Sequence, residues 1–593
     1  MAKRGGAVHV TTHRRHYVGK DGREKTYETY LLRRSYREDG KAKNETVANL
    51  SHLPGHVIEV IRRSLAGETL VPADQAATIT RSVPHGHVAA VYAQAVGLGL
   101  PAMLGPAGRH RNLALALIIS RVVHPGSKLA TGSWWDDTTL GVDLDVAGAS
   151  TDEVYASMDW LLGRQDRVEA TLARRHLAPE VNPSRMALFD LSSSWMEGSH
   201  CPLARRGYSR DGKKNRTQIE YGLLTDPEGR PVAIKVFGGN TADPSAFIEA
   251  VKIVRDRFGL TAMVMVGDRG MITSARIDAL RADNADPDTD SDLGWLTALR
   301  APAIAKLAAE NGPLQPTLFD EHNLAEIAHP DYPGERLVAC RNPFLAAERA
   351  RKRDDLLAAT ETVLAPIVAS VTTGRLRGAD QIGLKVGKIV NTYKMAKHFE
   401  VTITDTTLTI TRRTTQIEAE SALDGIYVLR TTVPEHTLDT AGVVGAYKNL
   451  ANIERDFRTI KVDDLDLRPI YHRLEDRVRA HVLIVMLAAY LTWHLRRSLA
   501  PLTFTDEDRP TRTDPIAPAQ RSDAATRKAS RRTDPDDQPV RSFRTLLDHL
   551  ATLTRNDIQY GPDGPTVPTL AIPTPTQRRA FELLDTAIPL SLK

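Results

Sequence analysis

The chain has 593 residues and a formal net charge of +5, with 41% hydrophobic and 25% charged residues. This length suits several domains with substantial cores. Two cysteines, Cys201 and Cys340, are too few for a disulfide framework, and the N-terminus lacks the apolar region of a secretory signal. The longest apolar helix candidate, 482–493, is about half as long as a membrane span. We therefore expect a cytoplasmic protein with no membrane partner, and the positive charge mildly favours polyanions.

The N-terminal region is basic and begins with a strand pattern. Residues 1–40 contain ten Lys or Arg and five Asp or Glu, a net charge of +5 (10 − 5). Residues 27–36 alternate in polarity and are followed by the turn dipeptide Asp39-Gly40, which predicts a small β-rich element over 1–65. Helical patterns come next, with a helix start indicated at Ser150 by Glu153 three residues later. We expect 66–180 to be mainly helical.

Two aspartates close short apolar runs, Asp190 at the end of 184–190 and Asp268 at the end of 261–268. Continuous apolar runs of this length are typical of strands buried on both faces. Carboxylates at the ends of adjacent strands can meet at one edge of a sheet, where ligands usually bind. The alternative is that each Asp caps the following helix, and Asp268 could cap one that begins near Ile272.

Further strands are predicted around these two runs. Residues 217–226 and 230–237 flank a Pro-Glu-Gly turn and predict an antiparallel hairpin. Together with the first run they form a three-stranded meander. A helix over 244–258, the Asp268 run, another helix and a strand over 293–299 complete a mixed α/β sheet.

A third carboxylate lies on a predicted helix near the C-terminal side of the chain. Tyr447, Glu454 and Lys461 are spaced seven residues apart, almost two helical turns, so one helix would present all three on one face. A carboxylate between a phenol and an ammonium suits a helix that faces a phosphodiester. The alternative is an ordinary solvated helix on which Glu454 pairs with Arg458 at i,i+4.

These motifs resemble the catalytic triad of DDE transposases with an RNase H-like core. The helix is similar to the Tyr-Arg-Glu-Lys signature of a large superfamily of bacterial insertion-sequence transposases, although Leu450 stands where the signature has Arg. Arg455 or Arg458 could replace that Arg in contacting phosphate. Residues 237–243 also resemble the conserved region between the first two aspartates of these enzymes. The resemblance is specific over 184–300 and 424–495.

The resemblance implies a fold, a mechanism and partners. The fold would be an RNase H-like mixed sheet flanked by helices, with a β-rich insertion and a mainly helical N-terminal region preceded by a small β element. Two Mg²⁺ ions, with Mn²⁺ as a substitute, would bind Asp190, Asp268 and Glu454, with Asp190 bridging both. Lys461 would pair with a phosphate and Tyr447 would orient the cleaved DNA end.

The implied activity is that of a DNA transposase. Such an enzyme binds the terminal inverted repeats of its insertion sequence, cleaves the strands and joins the 3′ ends to target DNA. The basic region 1–180 is the candidate for binding these ends. Because both ends must be held together, the resemblance also implies a homodimer or higher oligomer on DNA, in the bacterial cytoplasm at the nucleoid.

A basic stretch follows the first predicted strand and would form a loop beside the carboxylates. It has one Asp and six basic residues, for which we predict phosphate contact; the alternative is a solvated charged surface. These residues are Arg205, Arg206, Arg210, Lys213, Lys214 and Arg216.

The long interval between Asp268 and Glu454 predicts an insertion over 301–423. Strand patterns at 384–391, 399–403 and 408–411 and a helix near 345–370 indicate a β-rich domain. The catalytic core would occupy 184–300 and resume over 424–500. Residues 503–540 are rich in Pro, Asp, Arg and Thr and predict a disordered linker. A C-terminal tail over 541–593 follows, to which the sequence assigns no function.

Other functions fit parts of the pattern. Another RNase H-like nuclease, such as a junction resolvase, would use similar carboxylates but needs neither so long an insertion nor so long an N-terminal region. A catalytically silent DNA-binding protein would not need all three carboxylates. A hydrolase with paired carboxylates would work without metal, and loss of activity with EDTA would exclude it.

Overall fold

The computed structural model describes residues 6–592 except 21, 69–75, 199, 214, 286–291, 310, 511–513, 535–536 and 562–563. The chain forms two compact units. The first consists of Met1–Ser82 with Arg555–Ala571, and the second of Val83–Thr554 with Ile572–Lys593.

The first unit begins with an antiparallel meander of β1 (Ala7–Val18), β2 (Glu24–Glu38) and β3 (Lys41–Asn49). Asp39 and Gly40 join β2 to β3 with φ values of 51° and 75°. Two consecutive positive φ values are what a type I′ hairpin turn requires, which explains the Asp-Gly dipeptide. Helix α1 (Gly55–Leu65) and strand β4 (Thr78–Pro84) follow. The small β element predicted for 1–65 is observed, with α1 in addition.

Helices dominate the next hundred residues, as predicted. They are α2 (Gly86–Gly97), α3 (Leu100–Leu104), α4 (Arg109–Val123), α5 (Lys128–Asp136), α6 (Thr139–Asp143), α7 (Thr151–Leu162) and α8 (Gln165–His176). Helix α4 is buried from Leu113 to Val123. The predicted helix start is confirmed, because Ser150 and Glu153 form a reciprocal capping box at the N-terminus of α7.

The main sheet starts with the predicted meander. Its elements in chain order are β5 (Met186–Trp195), β6 (Gln218–Thr225), β7 (Pro231–Gly238), α9 (Asp243–Lys252), β8 (Val264–Val266), α10 (Ser274–Ala285) and β9 (Gly294–Ala298). The spatial order is β7-β6-β5-β8-β9. The three strands of the meander are antiparallel, whereas β8 is parallel to β5 and β9 is parallel to β8. The predicted α/β class is confirmed.

The sheet extends beyond β9 through residues predicted to lie in an insertion. Helix α11 (Ala301–Leu307) precedes β10 (Leu324–Ile327) and β11 (Arg336–Arg341). A separate lobe then follows, formed by α12 (Pro343–Thr372), α13 (Ala379–Ile389), β12 (Phe399–Ile403), β13 (Leu408–Arg412) and α14 (Thr414–Ser421). Strand β14 (Ile426–Thr431) returns to the sheet between β9 and β11, so β10 and β11 belong to the sheet and not to the lobe.

The lobe differs from the predicted β-rich insertion, because helices make up most of it. The strand predicted over 384–391 is wrong, since these residues overlap α13. Ile382 and Val386 are both buried on one face of α13, and this i,i+4 spacing is helical. The short apolar run fits the periodicity of a strand as well as that of a helix, and its packing in the structure favours the helix. The predicted strands at 399–403 and 408–411 are observed as the β12–β13 hairpin.

The C-terminal part contains the remaining elements. They are α15 (Thr440–Lys448), α16 (Leu450–Arg458), α17 (Glu475–Ser498), α18 (Asp523–Arg531), α19 (Phe543–Ala551), β15 (Thr554–Gln559), β16 (Thr566–Leu570) and α20 (Pro575–Leu583). Strand β15 pairs with both β16 and β4 in a three-stranded sheet. By length and composition alone, α12 and α17 could each cross a membrane, as could α4 and α5 if they formed one bent span. However, 83% of the apolar window of α17 is buried inside the protein, as expected of a core helix.

The disordered linker predicted for 503–540 differs from the structure. Among its described residues, α18 is capped by Ser522, whose hydroxyl accepts from the Ala525 backbone N–H at 3.0 Å. The Lys528 ammonium donates to the Ala500 carbonyl at 3.1 Å and is buried. Polar capping and buried hydrogen bonds order this segment although it has few large apolar side chains.

Candidate active site

Asp190 lies on β5, and Asp268 lies just beyond the end of β8, the neighbouring parallel strand. Leu188 of β5 is paired with Val266 of β8, and Asp190 and Asp268 each lie two residues beyond this pair. Asp190 is not at the end of its strand as predicted, because β5 continues to Trp195 alongside β6. Asp190 nevertheless lies at an edge of the sheet, because β8, the neighbouring strand, ends before the level of Asp190.

Asp268 begins a turn and is exposed. Its Oδ1 accepts from the backbone N–H groups of Gly270 and of Met271, the latter at 3.2 Å. One carboxylate oxygen therefore orders the turn, as a capping Asp does, while α10 begins only at Ser274. Of the two carboxylate oxygens of Asp268, Oδ1 is the one that makes these bonds.

The third carboxylate comes from the C-terminal side of the chain. Glu454 is exposed on α16, which packs against β5, and the Phe457 ring of α16 lies 5.8 Å from that of Tyr221 on β6. The predicted single helix with Tyr447, Glu454 and Lys461 on one face differs from the structure. Tyr447 lies on α15, Glu454 on α16, and Lys461 in a π-helical turn over Thr459–Asp463. A π-helical turn has a wider period, so it moves Lys461 off the predicted face.

Asp268 and Glu454 are close enough to Asp190 to act on its ionisation. Burial raises the pKa of Asp190 from an ordinary 3.8 to about 7. The Leu191 N–H, which donates to Oδ1 at 2.8 Å, lowers this pKa, and Arg210 lowers it too. The charges of Asp268 and Glu454 both raise it. The fold has thus brought Asp190, Asp268 and Glu454 into one electrostatic neighbourhood.

Tyr447 belongs to the same neighbourhood. Burial raises the pKa of its phenol to about 12, and the charges of Asp268, Asp190 and Glu454 raise it as well. Arg269, next to Asp268, acts in the opposite direction. Tyr447 therefore remains a neutral phenol at physiological pH, able to donate a hydrogen bond beside the three carboxyl groups.

Lys461 is placed differently from a solvent-facing phosphate ligand. Its ammonium lies 2.9 Å from Asp211 Oδ1, and the Lys461 side chain is only 10% exposed. Arg468 forms an ion pair with the same carboxylate. Burial lowers the pKa of Lys461, an effect partly offset by Asp211. A phosphate could reach Lys461 only if this lysine left its pair with Asp211.

The basic stretch divides into an exposed and an internal part. Arg205, Arg206, Lys213 and Arg216 are exposed, while Lys214 lies outside the described residues. Arg210 instead forms a salt bridge at 3.6 Å with Glu220, a buried residue of β6, and acts on Asp190. Its predicted contact with DNA thus competes with an internal role.

The two arginines considered as replacements for the signature Arg are both exposed on α16. Arg455 and Arg458 follow Glu454 by one and four residues, and neither is buried. Leu450, which stands at the signature position, is the first residue of α16. The prediction that Arg455 or Arg458 contacts DNA phosphate remains a prediction.

The N-terminal region is similar to a known transposase domain. Residues 18–75 match the model of the IS1634 family transposase N-terminal domain. The predicted resemblance to insertion-sequence transposases is confirmed. No curated protein matches the chain. One similar solved structure is the cryo-EM structure of the piggyBac transposase synaptic complex with hairpin DNA, at 8% identity and a TM-score of 0.31. The alignment covers 70% of this chain and 73% of that one, and a TM-score this low does not establish a shared fold.

Transposases generally need divalent metal ions, and the donor set here suits one. Carboxylate oxygens are the ligands that hard cations such as Mg²⁺ prefer. A bound cation would counter both the burial and the charges of Asp268 and Glu454, which together raise the pKa of Asp190. Within the described part of the chain, however, no three His, Cys, Asp or Glu side chains lie close enough to hold one ion. Asp268 and Glu454 are exposed, and their side chains would have to turn toward Asp190 for all three to hold one ion.

Two residues of this region, Asp211 and Arg269, have roles that were not predicted from the sequence. Asp211 was counted only as the one acid of a basic stretch, yet it holds both Lys461 and Arg468. Arg269 has no role in the sequence-based prediction, although it acts on Tyr447. The adjacency of Arg269 to Asp268 was a usable signal. No local pattern links Asp211 to partners about 250 residues away.

Proposed function

We propose that this protein is a DNA transposase of the DDE type, with Asp190, Asp268 and Glu454 as its catalytic carboxylates. The observation that carries the proposal is that Asp268 and Glu454 both act on the ionisation of Asp190, although the three residues are far apart in sequence. The strand order supports an RNase H-like core, because an antiparallel meander is followed by two strands parallel to its first strand. The IS1634 match supports the transposase assignment independently of this site.

The proposed chemistry is cleavage of the element's terminal inverted repeats followed by joining of the 3′ ends to target DNA. When bound, two divalent cations would lower the pKa of the attacking water or 3′-hydroxyl and stabilise charge on the entering and leaving oxygens. The three carboxylates would hold these cations, with Mg²⁺ as the expected ion and Mn²⁺ as a substitute. Tyr447, a neutral phenol beside them, would donate a hydrogen bond to a phosphate oxygen of the cleaved end.

Exposed cations around the site would hold the DNA backbone. Arg455 and Arg458 on α16 and Arg206 of the basic stretch are exposed and available to a phosphate, whereas Arg216 would first have to leave its ion pair with Glu197. Joining requires both ends of the element in one complex, so we propose that at least a dimer assembles on the DNA. The bacterial cytoplasm is the proposed compartment.

The test uses the purified full-length protein and a duplex carrying the inverted repeats found next to its gene. We expect Asp190→Asn, Asp268→Asn and Glu454→Gln each to abolish strand cleavage in Mg²⁺ while end binding is retained. Asp278→Asn is the matched control, because Asp278 is 69% exposed on α10. This variant should cleave like the wild type. Full cleavage by any of the three site variants would refute the assignment.

A second readout separates transposition from cleavage alone. A labelled 3′ end should become joined to a supercoiled plasmid in the presence of the wild-type protein. Cleavage without joining would instead indicate a nuclease such as a junction resolvase. DNA binding with no metal-dependent cleavage would indicate a catalytically silent DNA-binding protein.

A further inference from the structure

The meander of the first unit has two chemically different faces. Side chains alternate along each strand, so those of β1 and β2 with even numbers share one face and those with odd numbers share the other. Helix α1 lies on the even-numbered side, because Arg62 of α1 donates to the Thr12 hydroxyl at 3.2 Å. We call this side the helix face and the opposite side the basic face.

All glutamates of the three strands lie on the helix face, where they neutralise its cations. Arg14 pairs with Glu28 at 2.6 Å across β1 and β2. Two more pairs connect β2 and β3, formed by Arg34 with Glu45 at 3.5 Å and by Lys43 with Glu38 at 2.7 Å. Glu24, the remaining glutamate, has an even number and belongs to the same face. The charge of the helix face is therefore largely compensated within the sheet.

The basic face has no such compensation. Among the described residues of the three strands, none of those on this face is an Asp or Glu. The shift of register between Leu32 and Arg33 keeps this arrangement, because it places Thr46 and Asn44 of β3 on the basic face and Glu45 on the helix face. The cations of the basic face are Arg15, Lys25, Arg33 and Arg37, accompanied by His9 and His13.

Aromatic side chains alternate with these cations at the outer end of the β1–β2 hairpin. Arg15 lies opposite Tyr27, and Tyr17 lies opposite Lys25. Tyr17 and Tyr27 are 56% and 57% exposed, and Arg15 and Lys25 are exposed as well. Uncompensated cations interleaved with exposed phenols are the composition of a nucleic-acid-binding surface, since cations contact phosphates while rings and hydroxyls contact sugars and bases.

The shape of the hairpin indicates the form of the partner. Strand β2 has 15 residues and would extend about 50 Å at the usual rise per residue. The outer segments of β1 and β2, residues 13–18 and 24–28, are exposed on both faces. A two-stranded ribbon fits the major groove of B-form DNA, whereas the major groove of an RNA duplex is too narrow for it.

We infer that the basic face of the β1–β2 hairpin binds duplex DNA as a ribbon in the major groove, with Arg15 and Lys25 contacting phosphates. This inference rests on the proposed function, which makes DNA the partner, and it assigns DNA binding to a surface distant in sequence from the carboxylates. The IS1634 match begins at residue 18 and so includes β2, β3 and α1.

The experiment compares equal charge changes on the two faces of the same sheet. Full-length protein is titrated into a labelled DNA duplex spanning several helical turns, in EDTA and over a series of salt concentrations. For Arg15→Gln/Lys25→Gln we expect an affinity about tenfold lower and a salt dependence weaker by about two phosphate contacts. The control, Arg14→Gln/Lys43→Gln, removes two cations of the helix face and should bind within about twofold of the wild type.

The outcomes distinguish this inference from the proposed function. Equal losses in both double variants, or no loss in either while the wild type binds, would overturn the ribbon assignment alone. Failure of the wild type to bind any duplex would overturn the proposed function and the inference together. Binding of an RNA duplex as tightly as DNA would also contradict the major-groove assignment. Thermal unfolding of each variant checks that the sheet is intact. Tyr27→Ser, which removes an exposed ring of the basic face, provides a further variant without a change of charge.

Discussion

The Lys461 ammonium and the Asp211 carboxylate form a buried ion pair with 2.9 Å between Nζ and Oδ1, and the Asp211 side chain is only 1% exposed. Arg468 pairs with the same carboxylate, and the Trp195 backbone N–H donates to its Oδ2 at 3.3 Å. Asp211 thus connects the basic stretch, the end of β5 and the turn that follows α16. It joins the strand that carries Asp190 to the segment that carries Glu454.

Replacing Asp211 should destabilise the protein strongly. Asp211→Asn leaves two cations close together and largely buried with no countercharge, and breaking a buried pair in this way typically costs about 3–5 kcal/mol. Urea unfolding measures the loss. Glu197→Gln is the matched control, because Glu197 pairs with Arg216 at the surface and should cost less than about 1 kcal/mol. Similar small losses in both variants would show that Asp211 is not a structural centre of this region.

Asp190 should make stability depend on pH. Its folded-state pKa of about 7 lies above the ordinary 3.8, so the native state binds this proton more tightly than the unfolded state does. The stability contributed by the protonated carboxyl is therefore lost as pH rises from about 4 to about 7. In metal-free buffer, Asp190→Asn should be more stable than the wild type above about pH 7, by on the order of 2 kcal/mol.

The difference between Asp190→Asn and the wild type should disappear below about pH 4, where Asp190 is protonated in both states. Unfolding free energies measured across this pH range test the expectation. Asp278→Asn should parallel the wild type throughout, because Asp278 is exposed. A constant difference between Asp190→Asn and the wild type at every pH would contradict the raised pKa.

Binding of Mg²⁺ should restore the stability that the wild type loses when Asp190 is deprotonated. A cation binds the deprotonated carboxylate, so adding Mg²⁺ should stabilise the wild type above about pH 7 and progressively less as pH falls. A ligand well above its dissociation constant stabilises the native state by about 1–3 kcal/mol. Thermal unfolding with and without Mg²⁺ or Mn²⁺ measures this without DNA or catalysis. Equal stabilisation of Asp190→Asn and wild type would place the cation elsewhere.

The parts of the fold that the sequence predicted correctly are those with a strong local signal. The first strand of the meander follows from a continuous apolar run and the next two from the turn between them, and Ser150 with Glu153 marks a helix start by a motif four residues long. The pairing of Asp211 with Lys461 has no local signal, because it depends on how distant elements pack. Short apolar runs such as 384–391 fit both helix and strand, and only tertiary contacts decide between them.

The last prediction concerns the segment around α18, which is ordered in the structure although its composition predicts disorder. Lys528 is 5% exposed and donates to the Ala500 carbonyl at 3.1 Å and the Thr505 carbonyl at 3.3 Å, and it also pairs with Glu507. Lys528→Met keeps the aliphatic chain but leaves these acceptors unpaired, at a cost of about 1–3 kcal/mol. Amide hydrogen exchange in Asp523–Arg531 should therefore become at least about tenfold faster.

The adjacent Arg527→Met, an exposed site, should leave the exchange unchanged. Fast exchange of this segment in the wild type itself would instead support the disordered linker that its composition predicts, because an ordered α18 held by Lys528 must protect its amides.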